Sequence, residues 1–249
     1  MTTTPSDPTS AVTVAVHPDA ETLARTVALR LVERLVEVQR EGRVPSLVLT
    51  GGTIADAIYQ QVAELPEAGL DWAAVDFFWG DERYVPADSE DRNDRSVGLD
   101  LLDKVGVDPA RVHAMPASDE AHPDLDTAAA AYGEEVRAHG TGSFDLVLLG
   151  LGPDGHVASL FPGFDQLERH DAIAMGVTDS PKPPPERITL SFDALNRTHE
   201  VWFLVSGEGK ADAVARALAD EGSVAETPAR GITVQNATWF LDEAAASAI

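Results

Sequence analysis

PSLVLTGGTIADAIYQQV, Pro45 to Val62, decides the fold. An unbroken apolar strand runs into a glycine pair and then directly into a segment of helical character. The same grammar extends outward in both directions. Upstream, AVTVAV (Ala11–Val16) alternates as a strand does. It is followed by a stretch that sets Leu23, Val27, Leu31, Leu35 and Val38 at helical spacing, with Gly42 as the stop. Downstream come VDFFWGD, then PDLDTAAAAYGEEVRAH ahead of FDLVLLGLG, then EVWFLVSG ahead of EGKADAVARALADEG. Strands that are apolar almost throughout, separated by helices, predict an α/β fold with a mostly parallel, doubly wound sheet covered on both faces. The expected organisation is a flexible tail over residues 1–10 and a single domain over 11–249. No internal repeat is present, and PKPPPE before Arg187 is a stiff extended segment.

Bulk properties narrow the function classes. The 249 residues are 44% hydrophobic and 24% charged, a globular composition, and no apolar run approaches the ~20 residues that cross a bilayer. The opening MTTTPSDPTS lacks both the basic and the apolar parts of a secretory signal, which points to a cytoplasmic protein. With no cysteine, thiolate metal sites, disulfides and a cysteine nucleophile are excluded. A net charge of −24 without any basic run argues against nucleic acid as a partner. It leaves room for a small anion, because charges beyond about 8 Å are screened at physiological salt.

In a doubly wound sheet the ligand crevice lies beyond the carboxyl ends of the strands, so the loops there carry the chemistry. LTGGT offers the backbone of Gly51, Gly52 and Thr53 at the start of a helix, a place suited to an anion. LGLGPDGH has the G-x-G-x-x-G spacing of a dinucleotide turn, but Pro162 and Gly163 cut short the helix such a site requires. The loop reads better as a device that delivers Asp154 and His156 together. An imidazole takes up a proton near neutral pH, and a neighbouring carboxylate fixes its tautomer. The other six histidines (His17, His113, His122, His139, His170 and His199) fall in polar surroundings without such a setting. WGDERYVPADSEDRN gathers Asp81, Glu82 and Arg83 at another strand end, with a solvated charged loop as the plain alternative. Arg187 and Lys210 are the cations suited to holding a phosphate.

Taken in order, LTGGT, WGDERYVP with Asn93 after it, FDLVLLGLGPDGHVASLFPG, PKPPPERITL, VWFLVSGEGK and TPARGITVQNATWFLDEAA resemble the 6-phosphogluconolactonase family over nearly the whole length. The resemblance implies a Rossmann-like fold related to glucosamine-6-phosphate deaminase. It implies hydrolysis of a phosphosugar lactone, 6-phospho-D-glucono-1,5-lactone, with no metal and no organic cofactor. His156 carries over as the base that activates water, with Asp154 orienting it and loop N–H groups stabilising the oxyanion. Phosphate contacts carry to Gly51, Gly52, Thr53, Arg187 and Lys210, with Arg83 nearby; Asp81, Asn93 and Gly155 complete the substrate site. The chain departs from the family pattern at Ile54, where many members have proline, at Arg92, where serine is usual, and at Val157, which replaces a common threonine.

Two rivals stand beside this reading. The deaminases share a related DGH loop but place a glutamate five residues after the histidine, where this chain has Phe161. A sugar-phosphate-sensing module would need a DNA-binding segment, and the chain lacks the basic surface for one. The assembly is expected to be a monomer or a small homo-oligomer.

Overall fold

The computed structural model describes residues 12–65, 69–140 and 142–249, so the expected N-terminal tail over residues 1–10 lies wholly outside the described residues. The chain opens with β1 (Thr13–His17) and α1 (Ala20–Arg40), which Asp19 caps by accepting from the Thr22 N–H at 2.7 Å. Leu23, Val27, Leu31, Leu35 and Val38 are all fully buried, as their spacing predicts. Each contributes on the order of 1.5–3 kcal/mol by leaving water.

The order continues through β2 (Ser46–Leu49), α2 (Thr53–Glu64), β3 (Asp76–Trp79) and β4 (Asp81–Arg83). Next, α3 (Asn93–Val97) runs through a π turn at Gly98–Leu102 into α4 (Asp103–Val105). Then follow α5 (Leu125–His139), β5 (Leu146–Leu149), β6 (Ala174–Val177), β7 (Arg187–Leu190) and α6 (Phe192–Leu195). The chain ends with β8 (Val201–Val205), α7 (Ala211–Leu218) and β9 (Ala237–Asp242).

Six strands form a parallel sheet in the order β1-β9-β8-β5-β2-β3. Their near-continuous apolar sequences fit burial on both faces; all four residues of β2 and of β5 are buried. A second sheet, β4-β7-β6, is antiparallel. The sequence reading treats Asp81–Arg83 as the end of a strand; the chain instead leaves β3 at Gly80 and enters the second sheet, where Arg83 pairs with Arg187. Both sheets share one hydrophobic core.

Two buried tyrosines finish strand ends. The Tyr59 hydroxyl donates to the Thr50 carbonyl at 2.9 Å and accepts from its N–H at 3.2 Å. Tyr132 does the same for Trp79, at 3.1 and 2.9 Å. No described helix is long and apolar enough to cross a membrane.

The connection from β2 leads outward to β3, while β5 leads the other way to β8 and β9. The strand order therefore diverges between β2 and β5, which pair through Leu47–Leu146 and Val48–Val147. Both glycine turns, Thr50–Thr53 and Gly150–His156, leave the sheet at this seam.

Candidate active site

The turn after β2 is shaped by a close approach. A Cβ on Gly51 would lie 2.0 Å from Asn93 Oδ1, so only glycine lets the two segments meet. Gly52 caps α2 without a side-chain hydrogen bond, and the first N–H groups of a helix have no partner within it. Gly52, Thr53 and Ile54 line the cleft at that end, where positive helix polarity favours an anion.

The turn after β5 folds back on itself. The Gly152 N–H donates to the His156 carbonyl and the Gly155 N–H to the Gly152 carbonyl, each at 2.9 Å. A Cβ on Gly152 would sit 2.0 Å from His156 Nδ1, so glycine is required for the imidazole to lie against its own loop. His156 Nδ1 is 2.5 Å from Asp154 Oδ1, and the ring packs on Phe161 at 4.6 Å between centroids. Burial would raise the Asp154 carboxyl, but the hydrogen bond to His156 outweighs it and holds the group down at about 2. The carboxylate fixes Nδ1, and Nε2 has no protein partner among the described residues.

The charged segment after β3 is buried at its two ends, Asp81–Glu82 and Arg92–Asn93, and exposed at Asp88, Glu90 and Asp91 between them. Asp81 Oδ2 accepts from Ser159 Oγ at 2.6 Å and stands 3.9 Å from Arg187 Nη1. Asn93 Nδ2 donates to the Asp81 carbonyl at 3.0 Å. Glu82 turns inward, 1% exposed, and accepts the N–H groups of Asn93 and Asp94 at 2.7 and 2.8 Å. It thereby caps α3, whose own N-cap residue offers no side chain for the purpose. Arg92, 2% exposed, also points away from the cleft: it donates twice to Asp94, once to the Met115 carbonyl, and lies 3.9 Å from Glu82. Burial pushes the Glu82 carboxyl up to about 7 against the pull of Arg92.

The cations converge from three directions. Arg187, the first residue of β7, donates Nη2 to the Lys182 carbonyl at 3.0 Å and Nε to the Pro184 carbonyl at 3.3 Å. Those bonds pin the guanidinium over Phe161, with Nη1 toward Asp81. Lys210 Nζ donates to the Leu151 carbonyl at 2.6 Å; burial, then the charge of Lys182, lowers its pKa. Arg83 Nη1 donates to the Asp91 carbonyl at 2.6 Å, while its buried Nε has no partner among the described residues. Neither Arg83 nor Lys182 has a carboxylate partner among the described residues.

His156, Asp81, Gly51, Gly52, Thr53, Arg83, Asn93, Arg187 and Lys210 all line one cleft of about 460 Å³. Asp154 sits behind the imidazole and Gly155 does not reach the cleft, its carbonyl accepting instead from the Ala229 N–H at 3.0 Å. With the N–H groups of Gly152 and Gly155 engaged inside the loop, that loop offers fewer oxyanion donors than its sequence suggests. The sequence reading missed Lys182, which lines the cleft from the proline-rich segment, and Ser159, which holds Asp81. It also placed His113 in polar surroundings; His113 is buried and stacked on Phe78.

Comparison with known proteins agrees with this architecture. A family model described as glucosamine-6-phosphate isomerases/6-phosphogluconolactonase matches residues 18–240. A 6-phosphogluconolactonase of Streptomyces coelicolor is 42% identical over 244 residues, covering 94% of this chain and 93% of that protein. The solved 6-phosphogluconolactonase of Trypanosoma brucei superposes with a TM-score of 0.83 at 28% identity, covering 95% of this chain and 98% of that one. A monomeric glucosamine-6-phosphate deaminase superposes with a TM-score of 0.82 at 21% identity, covering 96% and 100%, a likeness of fold alone. With the match spanning both sheets and every strand end that feeds the cleft, the chain belongs to the glucosamine-6-phosphate isomerase/6-phosphogluconolactonase family.

Proposed function

We propose that this chain hydrolyses 6-phospho-D-glucono-1,5-lactone to 6-phospho-D-gluconate, the second step of the oxidative pentose phosphate pathway, with His156 as general base. The observation that carries the reading is His156 itself: Nδ1 is fixed by an ionised carboxylate and Nε2 is left without a protein partner in a cleft rich in cations. The phosphate is held by the Gly51–Thr53 turn, Arg187 and Lys210. His156 Nε2 removes a proton from water as the water oxygen attacks the lactone carbonyl, and Asp154 stabilises the imidazolium that forms. Arg83 and Lys182 offset the charge growing on the carbonyl oxygen. Collapse of the tetrahedral intermediate breaks the bond to the ring oxygen, which takes the proton back from His156. Asp81 and Asn93 contact the sugar hydroxyls.

Phe161 favours the lactonase over the deaminase, because a buried phenyl ring packs on His156 where the deaminases carry a carboxylate. The proposal extends to a single lactonase domain over residues 11–249, located in the cytoplasm. The test is consumption of freshly generated 6-phosphoglucono-1,5-lactone against an enzyme-free blank. Acceleration by the wild type, without ammonia release from glucosamine 6-phosphate, is expected; ammonia release without lactone turnover overturns the reading.

A further inference from the structure

At the end of the sheet opposite the cleft, a second histidine–carboxylate group has a different geometry. His113 lies beside β3, its N–H donating to the Phe77 carbonyl at 2.9 Å. Its ring is 4% exposed and stacks on Phe78 at 4.5 Å between centroids. Glu135 and His139, one turn apart in the last turns of α5, face it. Glu135 Oε1 is 2.7 Å from His113 Nδ1 and 3.6 Å from His139 Nε2. Among the described residues these three alone bring His or carboxylate ligand atoms together as a group, all within 4.8 Å of one another.

We infer that His113 Nδ1, Glu135 Oε1 and His139 Nε2 form a binding site for a divalent zinc-class ion that ties α5 to the edge of the parallel sheet. Two imidazoles and one carboxylate suit Zn²⁺, whereas Mg²⁺ and Ca²⁺ prefer oxygen alone. Ligand atoms about 2.0–2.1 Å from a tetrahedral ion lie roughly 3.3 Å apart. The His113–Glu135 edge needs to open by about half an ångström to match, and the His139–Glu135 edge is already close.

The independent support is on the far side of His113. Its Nε2 stands 3.5 Å from Asp76 Oδ1, and Arg111 Nη1 donates to that same oxygen at 2.9 Å. Without an ion Nδ1 makes the shorter contact, to Glu135; once an ion takes Nδ1, Asp76 is placed to accept the ring proton carried on Nε2, the second-sphere arrangement found behind metal-bound histidines. The donor that must move is His139, whose ring stacks on His113 at 4.7 Å between centroids and has to tilt out of the stack. Its side chain is 51% exposed and that of Glu135 43%, which leaves both the freedom to turn and a solvent-facing fourth position for water.

The test is calorimetric titration of the full chain with ZnCl₂, with MgCl₂ beside it. Wild type, His139→Ala, Glu135→Gln, Asp76→Asn and His156→Ala are compared. One zinc site is expected, weakened about 100-fold in His139→Ala and Glu135→Gln and about tenfold in Asp76→Asn. It is unchanged in His156→Ala. Zinc should raise the Tm of the wild type, reversibly with chelator, but not that of His139→Ala. Because His139 is exposed and far from the cleft, its variant folds and keeps its hydrolytic activity. No binding at about 0.1 mM zinc overturns the site, as does binding that survives His139→Ala and Glu135→Gln or disappears with His156→Ala.

Discussion

His156 and His113 both bring Nδ1 against a carboxylate, at 2.5 and 2.7 Å, yet they stand at opposite ends of the same sheet and do different work. At the amino end His113 is enclosed: its second nitrogen faces Asp76, one ring face lies on Phe78 and the other on His139. At the carboxyl end His156 keeps its second nitrogen without a protein partner, in a cleft whose neighbouring cations are not all paired. A histidine–carboxylate contact is therefore not a catalytic signature in itself; the company of the remaining nitrogen decides.

The sharpest way to break this contrast is to truncate both rings. His156→Ala is expected to lower kcat by about 10²–10⁴-fold with little loss of stability, as for removal of a general base. His113→Ala should leave kcat near wild type and cost about 2–3 kcal/mol in denaturant unfolding. A folded His113→Ala enzyme as inactive as His156→Ala would end the distinction.

A second variant asks whether pairing or mere distance from the cleft matters. Arg92 lies behind the cleft wall, buried and paired with Asp94 although its Nη1 has no partner among the described residues, so Arg92→Ser should behave like the amino-end variant, costing about 3 kcal/mol of stability while kcat holds. It should also change the pH dependence. The Glu82 carboxyl, raised from 4.5 to about 7, binds a proton more readily folded than unfolded. Its contribution to stability is full below about 4.5 and is lost as pH rises through about 7. Without Arg92 the carboxyl rises further, and unfolding measured across pH should show the loss extending to higher pH.

Smaller effects refine the picture. Arg187→Ala removes one contact to the phosphate and is expected to raise KM about tenfold with kcat less affected, read from steady-state kinetics. A fall in kcat alone would reassign Arg187 to the transition state. Tyr132→Phe deletes one hydroxyl pairing at the end of β3 and should cost about 1 kcal/mol without changing KM.

The parts legible in sequence are those fixed by local pattern. Apolar spacing in α1 and the unbroken strands β2 and β5 gave the layered fold, and the glycines at 51 and 152 marked where backbone and side chain must nearly touch. What stayed hidden depends on partners far along the chain. Glu82 and Arg92 look solvated until α3 folds over them, because Glu82 is buried against N–H groups 11 and 12 residues on, and Arg92 reaches a carbonyl 23 residues on. Lys182 reads as part of a stiff proline spacer, and only the crossing of that spacer over the cleft gives it a role. The β4-β7-β6 sheet is as short-stranded as β2 and β5 but lacks their apolar runs, since β4 reads Asp-Glu-Arg and β7 opens on Arg187.

The tyrosines that finish the strand ends give the molecule a built-in optical signal. The chain has three tyrosines; burial raises the pKa of all three, and most strongly for the fully buried Tyr59 and Tyr132. In mild alkali, where a free phenol already ionises, Tyr59 and Tyr132 should stay protonated in the folded protein and withhold their tyrosinate absorbance. As the fold gives way, the phenols reach water and the ultraviolet band appears, so an alkaline titration reports loss of the sheet with no added dye.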